Sequence, residues 1–87
     1  MVRITPKSVI FELDIGADEV ILKGSWNNWK GEKMKKNKKG LFSKRKKLNP
    51  GTYEFGYMVD GKWIADDSCE LVDSPFGSKN SLLKVEK

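Results

Sequence analysis

Three tryptophans are the most distinctive side chains of this sequence, and two of them lie close together in the segment GSWNNW, residues 24–29. The segment directly follows an alternating hydrophobic run, so its indoles lie beyond the end of a predicted strand. An indole there either packs into a hydrophobic core or offers a flat apolar surface to a ligand, with the neighbouring amides as hydrogen-bonding groups. Spacing alone leaves both roles open for Trp26 and Trp29, and also for Trp63.

The acidic residues give little support for catalysis. Asp60, Asp66 and Asp67 follow the most regular predicted strand, but each lies in or beside a turn, where aspartate typically accepts hydrogen bonds from backbone amides. The chain has no histidine to act as a base, and it has neither a nucleophile elbow nor a glycine-rich phosphate loop. A pair of carboxylates that cleaves a glycosidic bond needs a cleft that so small a domain rarely holds. We therefore expect a protein that is not an enzyme and needs no cofactor.

Composition indicates a folded domain that is rich in turns. The 87 residues are 38% hydrophobic and 33% charged, with eight glycines and three prolines, and we expect residues 1–87 to form one domain. No hydrophobic run is long enough to span a bilayer, and the N-terminal segment lacks the apolar centre of a signal peptide, which predicts cytosolic residence without membrane contact. Cys69 has no second cysteine for a disulfide or metal site, so we expect a half-buried strand residue and no metal.

Short alternating runs separated by turn residues predict about seven strands and no helix. Apart from a short strand at Met34, the predicted strands cover residues 8–14, 19–25, 41–48, 52–59, 62–65, 69–72 and 82–85. In the most regular run, the inward residues are Tyr53, Phe55, Tyr57 and Val59. The dipeptide Asp60-Gly61 then predicts a type I′ hairpin turn. The fold class predicted from these patterns is an all-β, antiparallel β-sandwich.

Three ordered motifs carry a resemblance to a known family: GSWNNW at 24–29, PGTYEFGYMVDGKWIADD at 50–67 and PFGSKNSLLKV at 75–85. The chain resembles carbohydrate-binding module family 48, which includes the glycogen-binding domain of the AMP-activated protein kinase beta subunit and the N-terminal domains of isoamylases. The resemblance implies an immunoglobulin-like, early-set sandwich that binds α-1,4-glucans such as glycogen, starch and maltooligosaccharides. It also implies a kinase or a glucan-processing enzyme as the partner protein.

The resemblance implies a role for each residue that matches a sugar-binding position of the family. Trp29 and Trp63 match the positions whose indoles stack on glucose rings. Phe76 matches a side chain that wedges against the sugar. Ser78 and Asn80 match positions whose side chains form hydrogen bonds with sugar hydroxyls.

Other positions differ from the family or lie beside its motifs. Trp26 matches a position that the family uses for packing, so we expect it in the core. Gly56 falls where the family carries a lysine that contacts sugar, so the binding strand lacks that donor. We expect Asn28, Lys62 and Lys79 as secondary contacts. The missing donor is expected from Lys62, from Lys79 or from the lysine-rich residues 30–47.

Residues 30–47, the lysine-rich segment, carry ten basic residues and one acid, while the rest of the chain is net acidic. The alternative function is therefore a sandwich that binds another protein, a polyanion or nucleic acid through this segment. However, Lys44 and Lys46 alternate with Phe42 and Leu48, and inward charges on an edge strand typically prevent edge-to-edge aggregation. The aromatic and basic residues also do not interleave as a single-strand nucleic-acid groove requires. We therefore expect a glucan as ligand and not a nucleic acid.

Overall fold

The computed structural model describes residues 2–75 and 77–86. In that part of the chain the strands are β1 (Val2–Ile4), β2 (Val9–Leu13), β3 (Val20–Gly24), β4 (Glu32–Lys33), β5 (Lys35–Lys36), β6 (Phe42–Lys46), β7 (Gly51–Val59), β8 (Lys62–Ile64), β9 (Glu70–Asp73) and β10 (Lys79–Val85). A 3₁₀ turn at Ser25–Asn27 follows β3. None of the described residues belongs to a helix long and apolar enough to cross a membrane.

The strands form two antiparallel sheets. The first sheet has the order β1-β2-β6-β5, and the second has the order β4-β3-β7-β10-β9, with β8 paired to the end of β7. The all-β fold class is confirmed as an immunoglobulin-like sandwich of two antiparallel sheets. Most ends of the predicted strands differ from the observed ends by one or two residues. Strand β10 begins at Lys79 and not at residue 82, because residues 79–82 pair with residues 70–73 of β9.

The core lies between the sheets and follows the period-two alternation of the strands. Val9 and Phe11 of the first sheet are fully buried, and so are Phe55 and Tyr57 of the second. The rest of the buried apolar core consists of Val20, Leu22, Met34, Phe42, Leu48, Val59, Leu83 and Val85. Each such side chain contributes about 1.5 to 3 kcal/mol of transfer free energy. The predicted inward face of β7 is confirmed, although Tyr53 at its start is only half-buried.

The chain crosses from one sheet to the other at Met34. Strand β4 before it belongs to the second sheet and strand β5 after it to the first, and the Met34 amide donates to the Val20 carbonyl at 2.9 Å. The side chain is buried. Met34 therefore lies between two very short strands and not within the single short strand that the sequence predicts.

An ion pair connects the two sheets beside this crossing. The Lys46 ammonium on β6 lies 2.6 Å from one Glu32 carboxylate oxygen on β4 and donates to the other at 2.8 Å. Lys46 is opposite Val9 in the sheet register, so it points inward as predicted. Burial raises the pKa of the Glu32 carboxyl, but the hydrogen bond and positive charge of Lys46, together with smaller effects of Trp26 and Lys44, hold that pKa below its ordinary value.

The hairpin between β7 and β8 has the turn that Asp60-Gly61 predicts. Both residues have positive φ, 47° and 85°, as the two central residues of a type I′ turn require. The Asp60 carboxylate accepts hydrogen bonds from the amides of Asp18 and Glu19, at 3.1 and 2.8 Å. Asp60 therefore fastens the hairpin to the loop that precedes β3.

Candidate functional site

The two indoles of the GSWNNW segment point in different directions. After the 3₁₀ turn, Asn28 and Trp29 both have left-handed backbone conformations, with φ of 59° and 65°. The Trp29 amide donates back to the Gly24 carbonyl at 3.0 Å, which closes a tight loop. The reversal separates the two tryptophans, although only two asparagines lie between them.

Trp26 packs against the core. Its ring lies 5.3 Å from that of Phe11 in the first sheet and 6.2 Å from that of Phe55 in the second, measured between ring centroids. A Cβ atom added at Gly24 would lie 2.3 Å from Cη2 of this indole, so the glycine of the motif leaves the space that the ring occupies. The packing role implied by the resemblance is consistent with these contacts.

Trp29 instead meets Trp63 on the outside of the second sheet. The two ring centroids are 6.2 Å apart and the ring planes make an angle of 60°. Trp29 is 38% exposed, and Trp63 is half-buried. The Trp63 indole N–H donates to the Lys79 carbonyl at 2.8 Å, which fixes the orientation of the ring. Two tilted indole faces are thus available at the surface.

Trp63 lies directly against the backbone of β7. A Cβ atom at Gly56 would be 2.3 Å from Cζ2 of the Trp63 ring, a distance that real Cβ atoms do not show. Gly56 is buried although its position faces outward. The absence of a side chain at Gly56 therefore lets the Trp63 indole pack onto the sheet.

Both indoles border an open groove of about 440 Å³. In the described part of the chain its lining residues are Lys23, Trp29, Glu54, Met58, Trp63, Ser74, Pro75, Ser78 and Asn80. The polar groups at its base are hydrogen-bonded to each other: Asn80 donates to Glu54 at 3.1 Å, and the Ser74 and Ser78 hydroxyls are 3.0 Å apart. The groove combines flat apolar surfaces with fixed hydroxyl, amide and carboxylate groups.

A comparison with known families identifies the protein class that has these features. The sequence model of the glycogen recognition site of AMP-activated protein kinase matches residues 7–87 of this chain. The chain belongs to this family. The resemblance found in the sequence motifs is therefore confirmed.

Proteins similar to this chain include two plant proteins and a human kinase subunit. Protein PTST homolog 2, chloroplastic, of Arabidopsis thaliana is 46% identical over 70 residues, and FLOURY ENDOSPERM 6, chloroplastic, of Oryza sativa subsp. japonica is 40% identical over 70 residues. Each alignment covers 79% of this chain and 13% of the plant protein. The human 5'-AMP-activated protein kinase subunit beta-1 is 31% identical over 81 residues, which are 93% of this chain and 30% of that subunit. The chain thus spans less than a third of the length of each of these three relatives.

The site residues that the family resemblance implies fall into three groups according to their place in this structure. Four of them line the groove: Trp29, Trp63, Ser78 and Asn80. Phe76 lies outside the described residues. The residues expected as secondary contacts, Asn28, Lys62 and Lys79, are not among the groove-lining residues in the described part of the chain. Asn28 and Lys62 are exposed, and the Lys79 ammonium pairs with Asp73.

Several groove residues were not predicted from the sequence. Glu54 and Met58 follow from the outward alternation of β7, and this signal could have identified them. Lys23 lies directly opposite Gly56 in the register of β3 and β7, a relationship that the order of residues does not reveal. Lys23 therefore places a basic side chain beside Gly56 in the lining of the groove.

The acidic residues after β7 have structural contacts away from the groove. Asp66 is buried and accepts hydrogen bonds from the Tyr57 hydroxyl at 2.9 Å and the Ser68 hydroxyl at 2.6 Å. Burial raises the pKa of the Asp66 carboxyl. Hydrogen bonds to the carboxylate, including those from Ser68 and Tyr57, lower the pKa by more than burial raises it, so the pKa lies below its ordinary value. Burial and the neighbouring Asp66 charge raise the pKa of Tyr57. These contacts agree with the structural use predicted for Asp66.

Proposed function

We propose that this protein is a noncatalytic module that binds α-1,4-glucans such as glycogen, starch or maltooligosaccharides in the groove beside Trp29 and Trp63. The observation that carries the proposal is the pair of indoles, 6.2 Å apart and tilted by 60°, that borders the groove. Membership of the glycogen-recognition family supports the same ligand class.

The indole pair suits the chemistry of a glucose ring. A pyranose has C–H groups on its faces and hydroxyls around its rim, so its face stacks on an aromatic ring while its rim needs hydrogen-bonding partners. The indoles supply the first, and the Ser78 and Asn80 side chains supply the second. Phe76, as the residue that wedges against the sugar, belongs to the proposal on the basis of the resemblance alone.

The tilt between the indoles favours a curved glucan. Successive glucose rings of an α-1,4-glucan change direction along the chain, whereas those of a β-1,4-glucan form a flat ribbon that fits coplanar aromatic surfaces. Because the planes of Trp29 and Trp63 differ by 60°, two neighbouring rings of the curved chain stack on them more readily. Cellohexaose is therefore the appropriate comparison ligand.

The expected affinity is modest. Stacking a ring on an aromatic side chain contributes about 1 to 3 kcal/mol in the case of nucleobases, and two such contacts, after the cost of association, correspond to a dissociation constant of about micromolar to millimolar. Binding of that strength becomes effective when a glucan offers many sites or when the module is attached to a partner. We propose a kinase or a glucan-processing enzyme as that partner, and we retain cytosolic residence as a prediction.

The polyanion-binding alternative has less support in the contacts of the lysine-rich segment. Lys46 is paired with Glu32 between the sheets, Lys33 lies 3.5 Å from Glu19, and the Lys36 ammonium lies 5.3 Å from the Phe42 ring centroid. Three of the ten basic residues of the segment thus have partners within the protein. A polyanion would have to compete with those three contacts, whereas the groove offers its indole faces without such competition.

The test is calorimetric titration of the protein with maltoheptaose and with cellohexaose. We expect saturable binding of maltoheptaose only, about tenfold weaker binding for Trp29→Ala or Trp63→Ala, and no detectable binding for the double variant. Ile4→Ala is the matched control, because Ile4 is also an exposed large side chain but lies on β1 of the other sheet. Unchanged binding by the folded double variant would overturn the proposed site.

A further inference from the structure

Lys23 lines the groove from β3, directly beside Gly56 of β7. The two residues are direct partners in the register of β3 and β7. The side chain of one member of such a pair normally packs beside the other's, but Gly56 has none and the Trp63 ring fills the space above it. Lys23 is therefore the side chain of this pair that lines the groove.

The stem of Lys23 is supported by the chain that follows the tryptophans. A Cβ atom placed at Gly31 would lie 3.4 Å from Cε of Lys23 and 3.9 Å from its Cγ, so the bare backbone there borders the stem. Lys23 is half-buried as a result. A long side chain that is supported along its stem loses less conformational entropy when its ammonium binds a ligand.

The ammonium of Lys23 has no ion-pair or hydrogen-bond partner among residues 2–75 and 77–86. The acidic side chain that also lines the groove, Glu54, already accepts a hydrogen bond from Asn80. Glu54 lies two residues from Gly56 on the same face of β7, so it is a diagonal neighbour of Lys23 across the strand pair. The groove therefore presents a donor on one strand and an acceptor on the next.

We propose that Lys23 is a sugar-binding residue whose ammonium donates hydrogen bonds to hydroxyl oxygens of the glucose ring stacked on Trp63. An ammonium has three donors and no acceptor, and glucose carries adjacent hydroxyls that accept from a donor and donate to an acceptor such as Glu54. The inference rests on the proposed glucan binding, and it adds a residue outside the three sequence motifs. The ligand that this donor and acceptor suit is a sugar with free adjacent hydroxyls.

The experiment compares Lys23→Met, which keeps the stem and removes the charge, with Lys7→Met as the matched control. Lys7 is an exposed lysine that precedes β2 of the other sheet and does not line the groove in the described part of the chain. Maltoheptaose is titrated calorimetrically into the intact protein at a temperature where thermal unfolding shows every variant folded. We expect about tenfold weaker binding for Lys23→Met, unchanged binding for Lys7→Met, and binding within about threefold of the original for Lys23→Arg, which keeps a cationic donor.

The outcomes separate this inference from the proposal on which it rests. Unchanged maltoheptaose affinity in Lys23→Met, while the original protein binds, overturns the role of Lys23 and leaves the glucan site intact. An equal loss in Lys7→Met also overturns it, since the effect would then follow net charge and not position. Absence of maltoheptaose binding by the original protein overturns both the glucan site and the role of Lys23.

Discussion

The indole of Trp63 occupies the space beside the Gly56 backbone in which any larger side chain at residue 56 would lie. The atoms would be 2.3 Å apart, and the hydrogen bond from the Trp63 N–H to the Lys79 carbonyl prevents the ring from moving aside without loss. The proposed aromatic surface therefore depends on a missing side chain as much as on the indole itself.

Gly56→Ala should displace the Trp63 ring. We expect a loss of about 1 to 3 kcal/mol in the free energy of unfolding, because added atoms in a filled space force neighbours away, together with at least tenfold weaker maltoheptaose binding. Urea unfolding and calorimetric titration measure the two effects. Gly16→Ala is the control, since Gly16 is exposed and has no atom within 4 Å of an added Cβ. Equal behaviour of the two variants would show that Trp63 does not depend on Gly56.

Trp26 should contribute to stability and Trp29 should not. Truncation of a large aromatic side chain in a core costs about 3 to 5 kcal/mol, and Trp26 is only partly buried, so we expect about 3 kcal/mol for Trp26→Ala. For Trp29→Ala we expect a change within about 0.5 kcal/mol, because the residue is exposed. Urea unfolding of both variants gives the comparison. A larger loss for Trp29→Ala would contradict the division of roles within GSWNNW.

The sequence predicts those features that depend on neighbouring residues. Alternation along β7 identifies Phe55 and Tyr57 as core residues, and Asp60-Gly61 identifies its own turn, because both signals are local. The motif resemblance distinguishes Trp26 from Trp29, which spacing alone does not. Prediction of the core therefore succeeds before any tertiary contact is known, whereas the sugar-binding roles of Trp29 and Trp63 stay predictions.

The features that the sequence does not predict depend on contacts between distant segments. Strand β1 is three residues long and forms only because it pairs with β2. The crossing at Met34 depends on the pairing of β4 with the second sheet and of β5 with the first. Lys23 enters the groove through its register with Gly56, 33 positions along the chain, and no local pattern specifies a register of that kind.

The Glu32 and Lys46 pair should stabilise the sandwich in a pH-dependent manner. The pKa of Glu32 is lowered in the folded protein, so its contribution to stability is present above the pKa of the unfolded chain and is lost as the pH falls through the folded value. We expect Glu32→Gln to lower the free energy of unfolding by about 1 kcal/mol at pH 7 and by much less at pH 3. Urea titrations across this range measure the difference.

Glu19→Gln is the matched control for that comparison. Glu19 also pairs with a lysine, but at 3.5 Å and with both side chains largely exposed, and such surface pairs contribute about 0 to 1 kcal/mol. The Glu32 and Lys46 pair is closer and more buried. Glu32 also accepts a hydrogen bond at 3.4 Å from the side-chain amide of Asn27 in the 3₁₀ turn. A Glu32→Gln effect that is equal to the Glu19→Gln effect at every pH would show that the pair does not stabilise the sheets.

Asp66 should be a structural residue whose loss leaves sugar binding intact. It accepts hydrogen bonds from Tyr57 and from both the amide and the hydroxyl of Ser68, so Asp66→Asn replaces a charged acceptor with a weaker one that also carries unneeded donors. We expect a loss of about 2 kcal/mol in the free energy of unfolding, whereas Asp67→Asn, at an exposed position beside it, should change that free energy by less than about 0.5 kcal/mol.

Both variants should bind maltoheptaose as the original protein does, because neither residue lines the groove within the described part of the chain. A folded Asp66→Asn protein with weakened maltoheptaose binding would mean that Asp66 also influences the groove, and the separation between its structural contacts and the sugar site would then be wrong.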